Sequence, residues 1–234
     1  MLPTRTPWGH FPDVVIHADE STVKKHPSYA DAKAGDSDAA FALVNDAISE
    51  VAVAKLMGLV GSRTPLLASA HAFEGTGVNA IPEALAEELG RRTGFPIDTS
   101  IVQVNVVGHT SANGFTRMAR QALFDGDVLP GADYLLVDDF IGQGGTLANL
   151  KGFIESHGGV VIGATVLTGK PYSAKLTLEN EQLVALRGKH GENIESWWQG
   201  RFGHSFDCLT QSEARYLERT EDADIIRSRI AAAE

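Results

Sequence analysis

Four apolar runs, each closed by a glycine-containing loop and most of them followed by a helix-forming stretch, restrict what this chain can fold into. They are Leu66-Leu67-Ala68-Ser69-Ala70, Ile101-Val102-Gln103-Val104-Asn105-Val106-Val107, Tyr134-Leu135-Leu136-Val137 and Val160-Val161-Ile162-Gly163-Ala164-Thr165-Val166-Leu167. Strands without polar alternation are buried on both faces, and strands separated by helices form a mostly parallel sheet between two helical layers. With 234 residues, 43% of them hydrophobic, the chain can build one such core and a modest extension. A three-layer α/β/α fold is therefore expected, with ligands at the carboxyl ends of the strands.

The third run carries chemistry at that end. It is followed by Asp138-Asp139-Phe140-Ile141-Gly142-Gln143-Gly144-Gly145-Thr146. Carboxylates at the edge of a buried strand are costly to desolvate, so the acid pair must meet hydroxyls, a cation or water. Gly142, Gly144 and Gly145 allow close backbone approach, several amide N–H groups can converge on one anion, and Thr146 adds a hydroxyl at the next helix start. Acids beside an anion cradle suit a phosphorylated ribose.

The run from Val137 to Thr146 resembles the phosphoribosyl-pyrophosphate (PRPP) signature of the type I phosphoribosyltransferases: a hydrophobic strand, two acids, four variable positions and Gly-Gly-Thr. A weaker resemblance extends over residues 64–170. It implies that Asp138 and Asp139 bind the ribose hydroxyls, directly or through Mg²⁺, and that Gly142, Gln143, Gly144, Gly145 and Thr146 hold the 5′-phosphate. By the same resemblance the loop after the first run, with Glu74, Gly75, Thr76, Gly77 and Asn79, faces pyrophosphate, although it lacks the Arg or Lys common there. The long segment between the second and third runs corresponds to a flexible catalytic loop, which makes Arg117 and Arg120 candidate catalytic ligands delivered on closure. Lys170, after the fourth run, corresponds to a base-contacting lysine of purine-using relatives, or is an ordinary surface lysine. The third acid that some 6-oxopurine relatives carry within the loop is replaced here by Gly142. The implied activity is transfer of a phosphoribosyl group between a nucleobase and pyrophosphate, with Mg²⁺. The alternative is a non-catalytic PRPP- or nucleotide-sensing module on the same fold.

Other features are weaker. Gly75-x-Gly77-x-x-Ala80 imitates a dinucleotide fingerprint, but Asp98 precedes the second apolar run instead of ending it, so this reading is set aside. His71, His109 and His204 lack metal-ligand spacing. Trp197-Trp198 reads as an anchor for a terminal helix, with a base-stacking face as the alternative. Cys208, the single cysteine, reads as a buried apolar residue and excludes an intramolecular disulfide.

A formal net charge of −10 disfavours a nucleic-acid backbone as partner. No apolar run is long enough to span a membrane and no signal-peptide core is visible, so a cytoplasmic protein acting on small molecules, with a possible homodimer, is expected. Three regions are expected: an N-terminal arm with helices (1–60), a phosphoribosyltransferase-like core (61–172) and a C-terminal helical extension (173–234). Within the first, residues 14–16 read as part of an extended arm. Asp38 reads as the cap of one long helix with Phe41, Val44, Ile48, Val51 and Leu56 near one face. In the third, helices are expected at 177–190, 194–202, 211–219 and 222–233, with Thr210 and Glu213 at capping-box spacing.

Overall fold

The computed structural model describes residues 2–70, 73–74, 77–107 and 113–233, of which residues 73, 74 and 77 are described by backbone alone. The N-terminal part comprises β1 (Val15–Ala18), α1 (Glu20–Lys24), α2 (Tyr29–Ala34), α3 (Ser37–Ala47) and α4 (Glu50–Val60). Then come β2 (Leu66–Ser69), the short β3 (Phe73–Glu74) and β4 (Gly77–Val78), and α5 (Ile81–Thr93). They are followed by β5 (Ile97–Asp98), β6 (Val102–Gln103), α6 (Gly114–Ala119) and β7 (Phe124–Asp125). The core closes with β8 (Asp133–Ile141), α7 (Gly145–Ser156) and β9 (Val160–Gly169). The C-terminal helices are α8 (Asn180–His190), α9 (Glu192–Phe202), α10 (Gln211–Glu218) and α11 (Ala223–Ala231).

Five strands form one parallel sheet in the order β1-β9-β8-β2-β5. Side chains alternate along β8 as strand geometry requires. Leu135 and Val137 enter the apolar layer beneath α3, α4 and α5. Tyr134 and Leu136 enter the opposite layer, with Leu147, Leu150 and Ile154 of α7. The protein is therefore an α/β/α fold. A third cluster joins Trp198, Phe202, Phe206, Leu217 and Ile226 to Phe115 and Met118 of α6. The C-terminal helices thus pack on the segment just before the acid-bearing strand.

Several sequence expectations are corrected. Residues 14–16, read as part of an extended arm, run into a strand: Val15 and Ile16 pair with Thr165 and Val166 at the sheet edge. The run 101–107 does not join the central sheet: only Val102–Gln103 pairs, antiparallel, with β7 in a separate two-stranded sheet, and Val104 and Val106 are exposed. Asn105 diverts this run, donating to the Gln121 carbonyl and accepting from the Leu123 amide. The strand beside β2 is instead β5, so Asp98 does end a strand. Its carboxylate is engaged locally, accepting from Ser100 N (2.8 Å), Ser100 Oγ (2.7 Å) and Ile101 N (3.3 Å). The single helix expected around residues 38–56 is two. Ile48 is extended and the Ser49 hydroxyl caps α4 by accepting from Ala52 N, while Asp36, not Asp38, caps α3. Phe41 and Val51 consequently face solvent. The α10 capping box is present as expected.

Thr4 and Arg5 of the N-terminal segment cross α7 where Gly152 leaves room: a Cβ there would lie 2.1 Å from the Thr4 carbonyl oxygen. Gly152→Ala is expected to cost about 1–3 kcal/mol by overpacking and to raise amide exchange in residues 3–8, measured by hydrogen–deuterium exchange.

Two buried histidines set a pH dependence. Burial lowers His17 to about 4, and its Nδ1 accepts from Ser49 N. Burial, followed by the Arg5 charge, lowers His204 to about 4. Below the ordinary value of 6.5 the unfolded chain binds protons that the folded chain refuses. Their contribution is therefore complete above about pH 6.5 and is lost as pH falls towards 4. Urea midpoints are expected to be lower at pH 5 than at pH 7.5; His17→Asn with His204→Asn should flatten that difference.

Among the described residues no helix is long and apolar enough to cross a membrane.

Candidate functional site

The site begins with unequal strand lengths. β2 pairs with β8 only as far as Ser69 opposite Val137, while β9 continues along β8 past Asp138 to Ile141. β8 therefore overhangs its neighbour, and the acids lie within the second half of the strand, not after it. Beyond them Gly144 adopts φ +81°, a left-handed conformation suited to glycine, and α7 starts at Gly145. Helix starts leave their first amides without intrahelical acceptors. Among the described residues no protein acceptor meets the N–H groups of Gly144, Gly145, Thr146 or Leu147.

Acids and amides line one cleft of about 250 Å³, together with Arg5, Lys24, Lys33, Arg117 and Glu213. Asp138 is buried and its Oδ1 accepts from Asp139 N at 2.8 Å. Burial, and then the neighbouring Asp139 charge, hold the Asp138 carboxyl well above the usual carboxylate range. Asp139 accepts from Lys33 Nζ at 3.0 Å. A desolvated acid beside a paired one calls for a positive or hydroxyl-bearing ligand. Among the described residues no cluster of three acidic, histidine or cysteine side chains could cage a metal ion. Two carboxylates, one already engaged by a lysine, fit Mg²⁺ only where ligand oxygens supply most of its coordination, a mode common for this ion.

The cup wall is held from the C-terminal side. Thr210 Oγ1 donates to the Gln143 carbonyl, and Ser173 Oγ donates to that of Gly142. A Cβ at Gly145 would lie 3.0 Å from Glu213 Oε1 and 3.3 Å from Arg5 Nη2. Gly145→Val should thus crowd the very place an anion would occupy. A loss of at least about tenfold in ribose 5-phosphate affinity is expected, equal to one hydrogen bond of about 1.4 kcal/mol; titration calorimetry showing unchanged affinity would remove the cup from the site.

Comparison with known proteins gives relatives but no chemistry. No family model matches. Over 229 residues, 98% of its length, the chain is 40% identical to Protein TraN of Escherichia coli and spans 51% of it. Its relatives are longer proteins. A stretch of 151 residues, 64% of the chain, is 39% identical to an uncharacterized protein of Haemophilus influenzae (strain ATCC 51907 / DSM 11121 / KW20 / Rd), of which it spans 34%. The chain therefore covers about half or less of the curated proteins it matches. Among solved structures, the adenine phosphoribosyltransferase of Leishmania tarentolae aligns with 82% of the chain and 78% of its own. The TM-score is 0.37 and the identity 14%.

The structure distributes the remaining candidate residues unevenly. Arg117, on α6, lines the cleft, and its Nη1 is 2.7 Å from where a Gly142 Cβ would stand. Arg120 does not line it; its Nε donates to the Ala233 carbonyl at 3.0 Å. Lys170 pairs with Glu20 and also lies outside the lining. Asn79 is buried and its Oδ1 accepts from Ile81 N, which starts α5. Gly75, Thr76, His71 and His109 lie outside the described residues, and Glu74 and Gly77 are described only as backbone of the β3–β4 pair. Trp198 is buried against Phe202 and Phe206 and anchors α9. Cys208 is buried, and burial pushes its thiol up to about 12, which leaves it without thiolate character.

Arg5, Lys24 and Lys33 were missed by sequence reasoning, and no local motif marks them; Glu213 was read from its capping-box spacing alone, not as a cleft residue. The one available signal was the absence of a cation from residues 71–79, which required one from elsewhere.

Proposed function

We propose that this chain binds a phosphoribosyl compound in the β8–α7 cleft and catalyses phosphoribosyl transfer between a nucleobase and pyrophosphate. The observation that carries the reading is the juxtaposition, in one cleft, of the Asp138–Asp139 pair and the open amides of residues 144–147. In this reading Asp139, steadied by Lys33, and Asp138 accept hydrogen bonds from the ribose hydroxyls, while the helix-start amides and the Thr146 hydroxyl hold the 5′-phosphate. Arg117 stands beside the loop and offsets negative charge as the bond from ribose C1 to pyrophosphate breaks and that from C1 to the base nitrogen forms. Asp138 and Asp139 would hold Mg²⁺, which would supply neutralisation of part of the pyrophosphate charge. The protein's main contribution is positioning and exclusion of water from C1.

A second reading keeps the ligand and drops the reaction: a sensor of PRPP or of a nucleotide. It is favoured by the loop of residues 74–79, which has no Arg or Lys for pyrophosphate. Titration calorimetry with PRPP and Mg²⁺, followed by a pyrophosphate-release assay over a panel of nucleobases, separates the two. Binding with turnover supports the transferase, binding without turnover on any base supports the sensor, and no binding removes both.

A further inference from the structure

Two carbonyls of the loop before α7 are held from outside the cleft. Ser173 Oγ donates to the Gly142 carbonyl and Thr210 Oγ1 to the Gln143 carbonyl, and among the described residues no backbone donor reaches either. Both hydroxyls have their direction set by their other partners. Thr210 Oγ1 accepts from Glu213 N at 3.1 Å, so its own hydrogen goes to Gln143. Arg215 Nη2 lies 2.8 Å from Ser212 Oγ, which lies 3.0 Å from Ser173 Oγ. A guanidinium only donates, so Ser212 accepts from Arg215 and turns its own hydrogen to Ser173, whose hydrogen is left for Gly142. A chain of this kind, begun by a charged donor, strengthens each bond along it.

The peptides concerned are trans, and a planar trans peptide sets its N–H opposite its C=O. A carbonyl drawn towards Ser173 therefore turns the Gln143 N–H the other way, and one drawn towards Thr210 does the same for Gly144. Ser173, Thr210, Ser212 and Arg215 are not part of the cleft lining, whereas Gly142, Gln143 and Gly144 are. Gly142 and Gln143 are also partly exposed. Among the described residues no protein acceptor meets either N–H. We propose that Ser173 and Thr210 are positioning residues of the phosphate cup: by holding two successive carbonyls back, they aim the amides of Gln143 and Gly144 at the phosphate of the ligand. Donors fixed in advance need no reorientation when the anion arrives. The open amides then begin at Gln143, one residue before the helix-start set. The C-terminal region thereby gains a task in the site, although none of its hydroxyls touches the ligand.

This inference rests on the phosphoribosyl reading of the cleft, and the test keeps the two apart. Proton–nitrogen correlation NMR on the intact chain would follow each amide during titration with ribose 5-phosphate, with calorimetry giving the affinity. The Gln143 and Gly144 amide protons should move downfield in the parent as each bonds a phosphate oxygen. Ser173→Ala should abolish the shift at Gln143 and Thr210→Val the shift at Gly144, each with a loss of affinity of about three- to tenfold, the worth of one hydrogen bond. Thr210→Ser, which keeps the hydroxyl, should restore both shift and affinity. Loss of both shifts in each variant would mark a merely structural role and overturn the inference, as would parent-like shifts and affinity in both. Ribose 5-phosphate binding that moves the amides of residues 145–147 but not those of 143 and 144 overturns it too, and leaves the phosphoribosyl reading standing. If ribose 5-phosphate does not bind, the phosphoribosyl reading fails and the positioning role fails with it. Where a variant does not fold, the shifts at 143 and 144 in the parent still decide whether these two amides are aimed at phosphate.

Discussion

Glu213→Ala is expected to lower the free energy of unfolding by about 3–5 kcal/mol, because it leaves a buried guanidinium without its counter-charge. Arg5 and Glu213 have side chains only 2% exposed and meet through two bonds, Nη1 to Oε2 at 2.7 Å and Nη2 to Oε1 at 3.0 Å. Removal of the carboxylate leaves Arg5 with Asn149 Oδ1 as its remaining hydrogen-bond acceptor among the described residues and also destroys the capping box that starts α10. Urea unfolding at pH 7.5 measures the loss. The cost arises from an unpaired charge and not from the worth of the pair, so Arg5→Met with Glu213→Leu should recover most of it. A double variant as unstable as the single one would show that packing, not charge, governs the position. The same pair walls the cup at Gly145, so ribose 5-phosphate affinity should fall in Glu213→Ala even under conditions where the chain stays folded.

The acid pair carries the second large effect. Asp138→Asn with Asp139→Asn is expected to reduce ribose 5-phosphate affinity at least a hundredfold, since two hydrogen bonds to charged acceptors contribute about 1.5–3 kcal/mol each. Stability should move the other way with rising pH. Burial and the Asp139 charge raise Asp138, so the folded state favours its protonated form. That contribution is present near the unfolded value of 3.8 and below, and is lost as pH rises through the raised folded value. Asn at 138 can still accept from the residue 139 amide and carries no proton to lose. Melting curves at pH 4 and pH 7.5 should therefore show the Asp138→Asn variant gaining on the parent at the higher pH. Unchanged sugar-phosphate affinity in the double variant would remove the pair from the site.

The α/β sheet was legible because runs such as residues 134–137 and 160–167 lack the polar alternation of a half-exposed strand, as expected of a strand covered on both faces. The run 101–107 misled for a definable reason. Its valines at 102, 104 and 106 alternate with Gln103 and Asn105, a period-two pattern in which the polar residues turn inward to bond backbone groups. The short strands at 15–18 and 97–98 were missed because four and two residues give no readable periodicity; their pairing depends on neighbours far along the chain. The break at Ile48 was missed because an apolar residue in extended conformation leaves no composition signal, although Ser49 offered one as a cap.

The sequence by itself determined the stretch from β8 into α7: strand, acids, glycine turn and helix start lie within about a dozen contiguous residues, and their conformations follow from local sterics and hydrogen bonding. Only the tertiary structure decided what faces that stretch. Lys33 reaches Asp139 across a sequence separation of 106, and Arg5 reaches Glu213 across 208. Such pairs form because the sheet order and the crossing at Gly152 bring distant segments together under one desolvated roof, and a single chain's pattern contains no term that specifies which distant charge will answer which.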